Sequence, residues 1–210
     1  MQFNSQQGDQ SRADAIALRA RCAIAGFTLL ETILIVLVVG LLAAIATPSW
    51  LTFINHLQLN IAQDQIYRAM RIAQSNAKRD KATWQTSFRE KDGIVQWSIH
   101  RAMGKTCIGN QVHWHSLSPT IAIYKDKNKK GKSETTLAKP KGDCSTTGPW
   151  RVQFNYKGNT NGQLGQITLI TKNNNNNITS QRCVYVSTLI GALRKGRYHP
   201  KANNSKKYCY

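Results

Sequence analysis

Residues Phe27–Ala46 read FTLLETILIVLVVGLLAAIA, and this run decides how the rest of the chain is organised. It carries one charge, Glu31, in twenty residues. A helix rises ~1.5 Å per residue, so the run spans ~30 Å, the hydrocarbon thickness of a bilayer. It is apolar on every face, which separates it from a core helix with one apolar stripe. Met1–Gly26 is polar, carries Arg12, Arg19 and Arg21, and ends in Ala25-Gly26. An ordinary secretory signal places its small-residue cleavage site after the apolar run, whereas here a small residue precedes it. Ala46-Thr47-Pro48, behind the run, is the rival site for ordinary cleavage. The arginines on the N-terminal side predict that this end stays cytoplasmic and that everything after Trp50 faces outward.

Glu31 is the anomaly. A carboxylate in a membrane span costs at least ~2.5 kcal/mol, which makes it a functional candidate; the plainer alternative is a protonated or interfacial side chain. If the chain is cut between Gly26 and Phe27, a free α-amine appears one helical turn from Glu31.

Gly26-Phe27-Thr28-Leu29-Leu30-Glu31 followed by an apolar run resembles the class III leader of type IV pilins and type II secretion pseudopilins. The resemblance implies that prepilin peptidase cuts after Gly26 and N-methylates Phe27. It also implies that Glu31 pairs with the Phe27 amine of a neighbouring subunit during assembly. Gly40 and Pro48 stand where pilins tolerate a helix break, and proline removes a backbone donor.

Beyond Pro48, apolar residues recur at helical spacing through Leu51, Ile54, Leu57, Ile61, Ile66, Met70, Ala73 and Ala77. This predicts one long helix from Phe27 to about Lys78, bent near Pro48, whose second half packs on a globular head. From Trp84 the period switches to two. Trp84–Glu90 and Ile94–Ala102 flank Lys91-Asp92-Gly93, a hairpin signal. Thr120–Tyr124, Trp150–Tyr156, Gly165–Thr171 and Cys183–Leu189 are further strand candidates. The expected fold is α+β: a long N-terminal helix, half transmembrane and half amphipathic, packed on an antiparallel β head. Its parts are a leader over 1–26, helix halves over 27–50 and 51–80, and a head with a basic tail over 81–210.

Toward the C-terminus, Arg182-Cys183-Val184-Tyr185-Val186-Ser187 and then Gly191-Ala192-Leu193-Arg194 resemble the closing strand of minor pseudopilins of the GspH/FimT type. Those proteins often carry a Gly-Arg-x-Arg turn after such a strand. Here Ala192 stands in place of the first arginine while Arg194 matches the second, with Lys195 and Arg197 adding charge.

Five cysteines are present, and cleavage after Gly26 would remove Cys22. Cys107, Cys144, Cys183 and Cys209 remain, an even set suited to disulfides in an exported domain, with three connectivities open. The pairing favoured is Cys107–Cys144 with Cys183–Cys209, since the second ties down a tail that otherwise frays. No CxxC spacing suggests metal.

The 210 residues hold 29 Lys plus Arg against 10 Asp plus Glu, a net charge of +19, and no acid follows Asp143. A basic loop holds Lys125, Lys127, Lys129, Lys130 and Lys132, and Tyr198, Tyr208 and Tyr210 lie among the cations of the tail. Such fields attract polyanions, and interleaved aromatics stack on single-stranded bases. The plainer account is a solvated, solubilising surface. Arg194, Lys195 and Arg197 are the first DNA-binding candidates, and any such binding is expected to be sequence-independent because no reader motif is visible. His113 and His115 alternate on one strand face with no nearby carboxylate, so they read as surface residues. No nucleophile–base arrangement or phosphate loop appears, which argues against an enzyme, and no cofactor is implied.

The reading that results is a minor pilin or pseudopilin. It is held in the inner membrane with its head in the periplasm, then assembled with other pilin-type subunits into a pilus or pseudopilus. The alternatives are a DNA-capturing minor pilin serving uptake, and an uncleaved membrane-anchored surface protein.

Overall fold

The computed structural model describes residues 27–102, 112–138, 150–161, 164–172 and 180–210. One helix, α1 (Leu29–Arg79, 51 residues), dominates the N-terminal part. It starts where the sequence provides a cap. Thr28-Leu29-Leu30-Glu31 has capping-box spacing, and the Glu31 N–H donates to Thr28 Oγ1 at 3.2 Å. Glu31 therefore lies in the first turn, where the helix dipole favours a negative charge.

The chain divides between Ser49 and Trp50 into two compact units. In the first, every side chain from 27 to 45 is exposed, on all faces of the helix. Among the described residues no single straight helix is long and apolar enough to cross a membrane. Leu29–Ile45 and Trp50–Arg79 taken together are, by length and composition.

The second unit is the head. β1 (Trp84–Lys91), β2 (Ile94–Arg101), β3 (His115–Ser116) and β5 (Trp150–Phe154) form one sheet in the order β3-β2-β1-β5. β4 (Ile121–Ile123), β6 (Gly165–Thr171), β7 (Gln181–Val186) and β8 (Leu193–Arg197) form the other in the order β4-β6-β7-β8. All pairings are antiparallel. The β1–β2 turn is made by Asp92 (φ 51°) and Gly93 (φ 72°), the left-handed pair that a two-residue hairpin demands.

The core joins Leu59, Ala62, Ile66, Met70, Ala73 and Ala77 of α1 to Phe88, Val152, Phe154, Ile167, Leu169 and Val184 of the sheets. This corrects the expected stripe in its first half. Leu51, Leu57 and Ile61 are exposed, and Leu57 and Ile61 lie roughly 140–180° around the helix from Ile66 at 100° per residue. The buried face is instead completed by two glutamines, Gln63 and Gln74. Gln63 Nε2 donates to the carbonyls of Cys183 (2.8 Å) and Gly196 (2.7 Å), and Gln74 Nε2 to those of Gly158 (2.8 Å) and Gly191 (2.9 Å). Each uses both amide protons, so neither side chain is a buried orphan.

β8 is not among the strands read from the sequence, and it begins inside Gly191–Arg194, where the resemblance places a turn. Its sequence, LRKGR, has one large apolar residue, yet it pairs with β7 over the full register from Arg182↔Arg197 to Val186↔Leu193. The turn before it, Thr188–Gly191, closes with the Gly191 N–H on the Thr188 carbonyl at 3.0 Å. Gly191 sits at φ 81°, and an added Cβ would meet the Gly158 oxygen at 2.4 Å and Gln74 Nε2 at 2.6 Å. Gly191→Ala is therefore expected to destabilise the head by about 2–3 kcal/mol, through left-handed strain plus a displaced glutamine. Thermal unfolding of the variant beside the parent checks it.

Candidate functional site

Two regions carry the sequence candidates, and each belongs to its own unit. At the N-terminal end Gly26 lies outside the described residues. Phe27 is 70% exposed and precedes the Thr28 cap, so its backbone nitrogen sits at the mouth of the helix with Glu31 one turn in. α1 runs through Gly40 and Pro48, and nothing lies within 4 Å of a Cβ built on Gly40.

The second region is the β7–β8 edge with its tail. Strand alternation separates the three expected DNA-binding residues. In register, Lys195 faces Val184 and Arg197 faces Arg182, while Arg194 faces Tyr185 on the opposite side of the sheet. Lys195 Nζ pairs with Asp64 Oδ1 at 2.7 Å and lies 4.9 Å from the Tyr67 ring centre. Arg182, which the sequence offers only as one cation among many, is better placed. Its Nε donates to Asn60 Oδ1 at 2.6 Å and its Nη1 to the Gln181 carbonyl at 3.1 Å. Burial, and then the charge of Arg197, pushes the Arg182 guanidinium below its ordinary pKa. A cleft of about 340 Å³ opens here, lined by Gln63, Arg182, Lys195, Gly196, Arg197, His199 and Tyr210. His199 and Tyr210 stack with ring centres 4.1 Å apart and planes 13° apart.

The tail is held firmly. Cys183 and Cys209 are disulfide-bonded, as expected, while Cys107 and Cys144 lie outside the described residues. Arg197 and Tyr210 exchange backbone hydrogen bonds at 3.1 and 3.2 Å, so the tail returns along β8 and covers its edge. Gly196 permits this, because a Cβ there would sit 2.8 Å from Cys183 Sγ and from the Tyr210 backbone. Below the tail is Glu134, fully buried. Its carboxylate accepts from Asn128 Nδ2 (2.7 Å), the Tyr208 N–H (2.8 Å), Gln166 Nε2 (3.4 Å) and the Cys209 N–H (3.5 Å). Lys207, nearby, has its ammonium pushed down by burial, with Glu134 acting in the opposite sense. Asn128 also accepts from the Lys130 and Lys132 N–H groups and donates to the Lys206 carbonyl, which fastens the basic loop to the tail. Lys125 of that loop pairs with Glu90 at 2.6 Å.

His113 and His115 meet edge-on at 4.6 Å, and His115 stacks on Trp97 at 4.4 Å. Among the described residues no group of three or more His, Cys, Asp or Glu could hold a metal ion.

No family model and no curated protein matches the sequence. Among solved structures, the chain is similar to the type IV minor pilin FimU of Pseudomonas aeruginosa, at 14% identity over 68% of this chain and 90% of that one, with a TM-score of 0.44. It is also similar to the minor pseudopilin EpsH of the type 2 secretion system of Vibrio cholerae, at 10% identity over 66% of this chain and 95% of that one, with a TM-score of 0.40.

Proposed function

We propose that the chain is a minor pilin or pseudopilin, a structural subunit cut after Gly26 by prepilin peptidase, N-methylated on Phe27, and assembled from the inner membrane into a pilus or pseudopilus. The observation that carries this reading is α1. One 51-residue helix joins an exposed apolar segment, with an acid in its first turn, to a stripe packed on an antiparallel head. The apolar segment serves as membrane anchor before assembly and as the subunit contact afterwards. Glu31 sets register by neutralising the Phe27 amine of the next subunit, and Gly40 and Pro48 provide the points where the helix gives way.

Intact mass and N-terminal peptide mapping of the membrane-extracted protein test the reading. The expected chain starts at methylated Phe27. A chain still starting at Met1 in cells with an active prepilin peptidase would overturn it in favour of an uncleaved anchored protein. Glu31→Gln should leave processing intact. Breaking a desolvated pair costs about 3–5 kcal/mol, so recovery in sheared filaments should drop by roughly a hundredfold to a few thousandfold. Unchanged recovery removes Glu31 from assembly.

A second reading, capture of extracellular DNA by the basic head, is favoured by the cationic crowding at the β7–β8 edge. Arg182 lies directly opposite Arg197, and among the described residues only Asp64 is ion-paired to a cation of that cleft.

A further inference from the structure

We infer that the cleft between α1 and β8 holds one unit of a single-stranded nucleic acid, with a backbone phosphate between Arg182 and Arg197 and the adjoining base against Tyr210. This rests on the polyanion reading and names its site and ligand form.

Like charges directly opposite on paired strands destabilise the pair. Arg182↔Arg197 is such a pair, and no carboxylate among the described residues is ion-paired to either guanidinium. An anion between them removes the repulsion. Arg182 is oriented for the task, since Asn60 and the Gln181 carbonyl fix its Nε and Nη1. The planar fork of arginine suits phosphate oxygens better than an ammonium does. Lys195, drawn toward Asp64, adds charge at the rim.

A phosphate alone would leave the aromatic wall without a role. The Tyr210 ring, backed by His199 at 4.1 Å, is held in place because the tail is paired to β8 and tied through Cys209. A rigid ring beside a cationic groove is how proteins hold unpaired bases without reading sequence. The volume, about 340 Å³, falls within the ~300–1,000 Å³ of ligand clefts. A lipid surface fits less well. The exposed aliphatic pair Leu189 and Ile190 lies at the β7–β8 turn, at the opposite end of the hairpin from Arg182 and Arg197.

The test uses the full chain in non-ionic detergent and a labelled oligothymidylate, read by anisotropy at about 50 and 200 mM salt. Single strands should bind more tightly than a duplex of equal length. Arg197→Ala should weaken binding roughly tenfold and reduce the salt slope by about one, whereas Arg197→Lys keeps the slope. Tyr210→Ala should weaken single-strand binding roughly tenfold and leave duplex binding unchanged. Unaltered melting temperatures show that the variants are folded. DNA binding that both alanine variants leave unchanged overturns the cleft assignment while the polyanion reading stands. Absence of DNA binding at the lower salt overturns both. Displacement of the oligonucleotide by phosphatidylglycerol vesicles or by millimolar inorganic phosphate, with Tyr210→Ala silent, reassigns the cleft to a headgroup or free phosphate and also overturns the proposal.

Discussion

Glu134→Ala is expected to lower the stability of the head by about 3–4 kcal/mol, because it leaves buried donors without their charged acceptor. Its two shortest bonds, from Asn128 Nδ2 at 2.7 Å and the Tyr208 N–H at 2.8 Å, hold opposite walls of one seam: the basic loop and the returning tail. Hydrogen bonds to a charged group contribute about 1.5–3 kcal/mol each, and a buried amide that loses its partner costs a comparable amount. For a head of this size that corresponds to a melting temperature lower by about 10 °C. Glu134→Gln should cost about half as much, since it keeps one acceptor and turns a donor toward the other N–H groups. An alanine variant that melts with the parent would show that water replaces the carboxylate without loss.

The second large effect is the disulfide. Cys183 and Cys209 are separated by 26 residues. Closing a loop of that length restricts the unfolded chain by about 3–4 kcal/mol. Replacing both cysteines with serine should lower stability by that amount in denaturant titrations, with single-serine variants adding the risk of a stray thiol. The two sites are coupled, because both restrain the segment from Tyr198 to Tyr210. Once the cross-link is gone, Glu134→Ala should cost at least 0.5 kcal/mol less than it does in the oxidised parent, as expected for changes that converge on one detached tail. Full additivity would mean that the tail and the carboxylate seam open separately.

What could be read in advance follows the kind of signal each element carries. β1 and β2 were legible almost to the residue, because Asp92-Gly93 dictates the hairpin and the alternation on either side is strong. β6 was read from Gly165 to Thr171 as it stands. β8 was not, since its identity comes from pairing with β7 and from cover by the tail rather than from its own residues. The separation of Arg194 from Lys195 and Arg197 follows from that same strand, so the site could be no clearer than the element that carries it. The phase of the α1 stripe was displaced for a related reason. Gln63 and Gln74 look solvent-facing in a hydropathy pattern, and only distant carbonyls make them buried. Glu134 gave no local signal at all. It is one acid after a run of lysines, and its partners come from elsewhere in the chain.

The two glutamines have a further consequence for how this sequence can change. An apolar stripe resting on an apolar sheet accepts swaps between side chains of similar volume, because its contacts carry no directional bonds. Gln63 and Gln74 act instead as two teeth of a key, one locked into each end of the β7–β8 hairpin, about three helical turns apart. Inserting or deleting a single residue between them would swing one tooth by about 100° out of its pair of carbonyls while the other stayed seated. Lineages of this protein should therefore vary freely in loop length but keep the count from 63 to 74 fixed, and an indel there should appear only with both glutamines lost together.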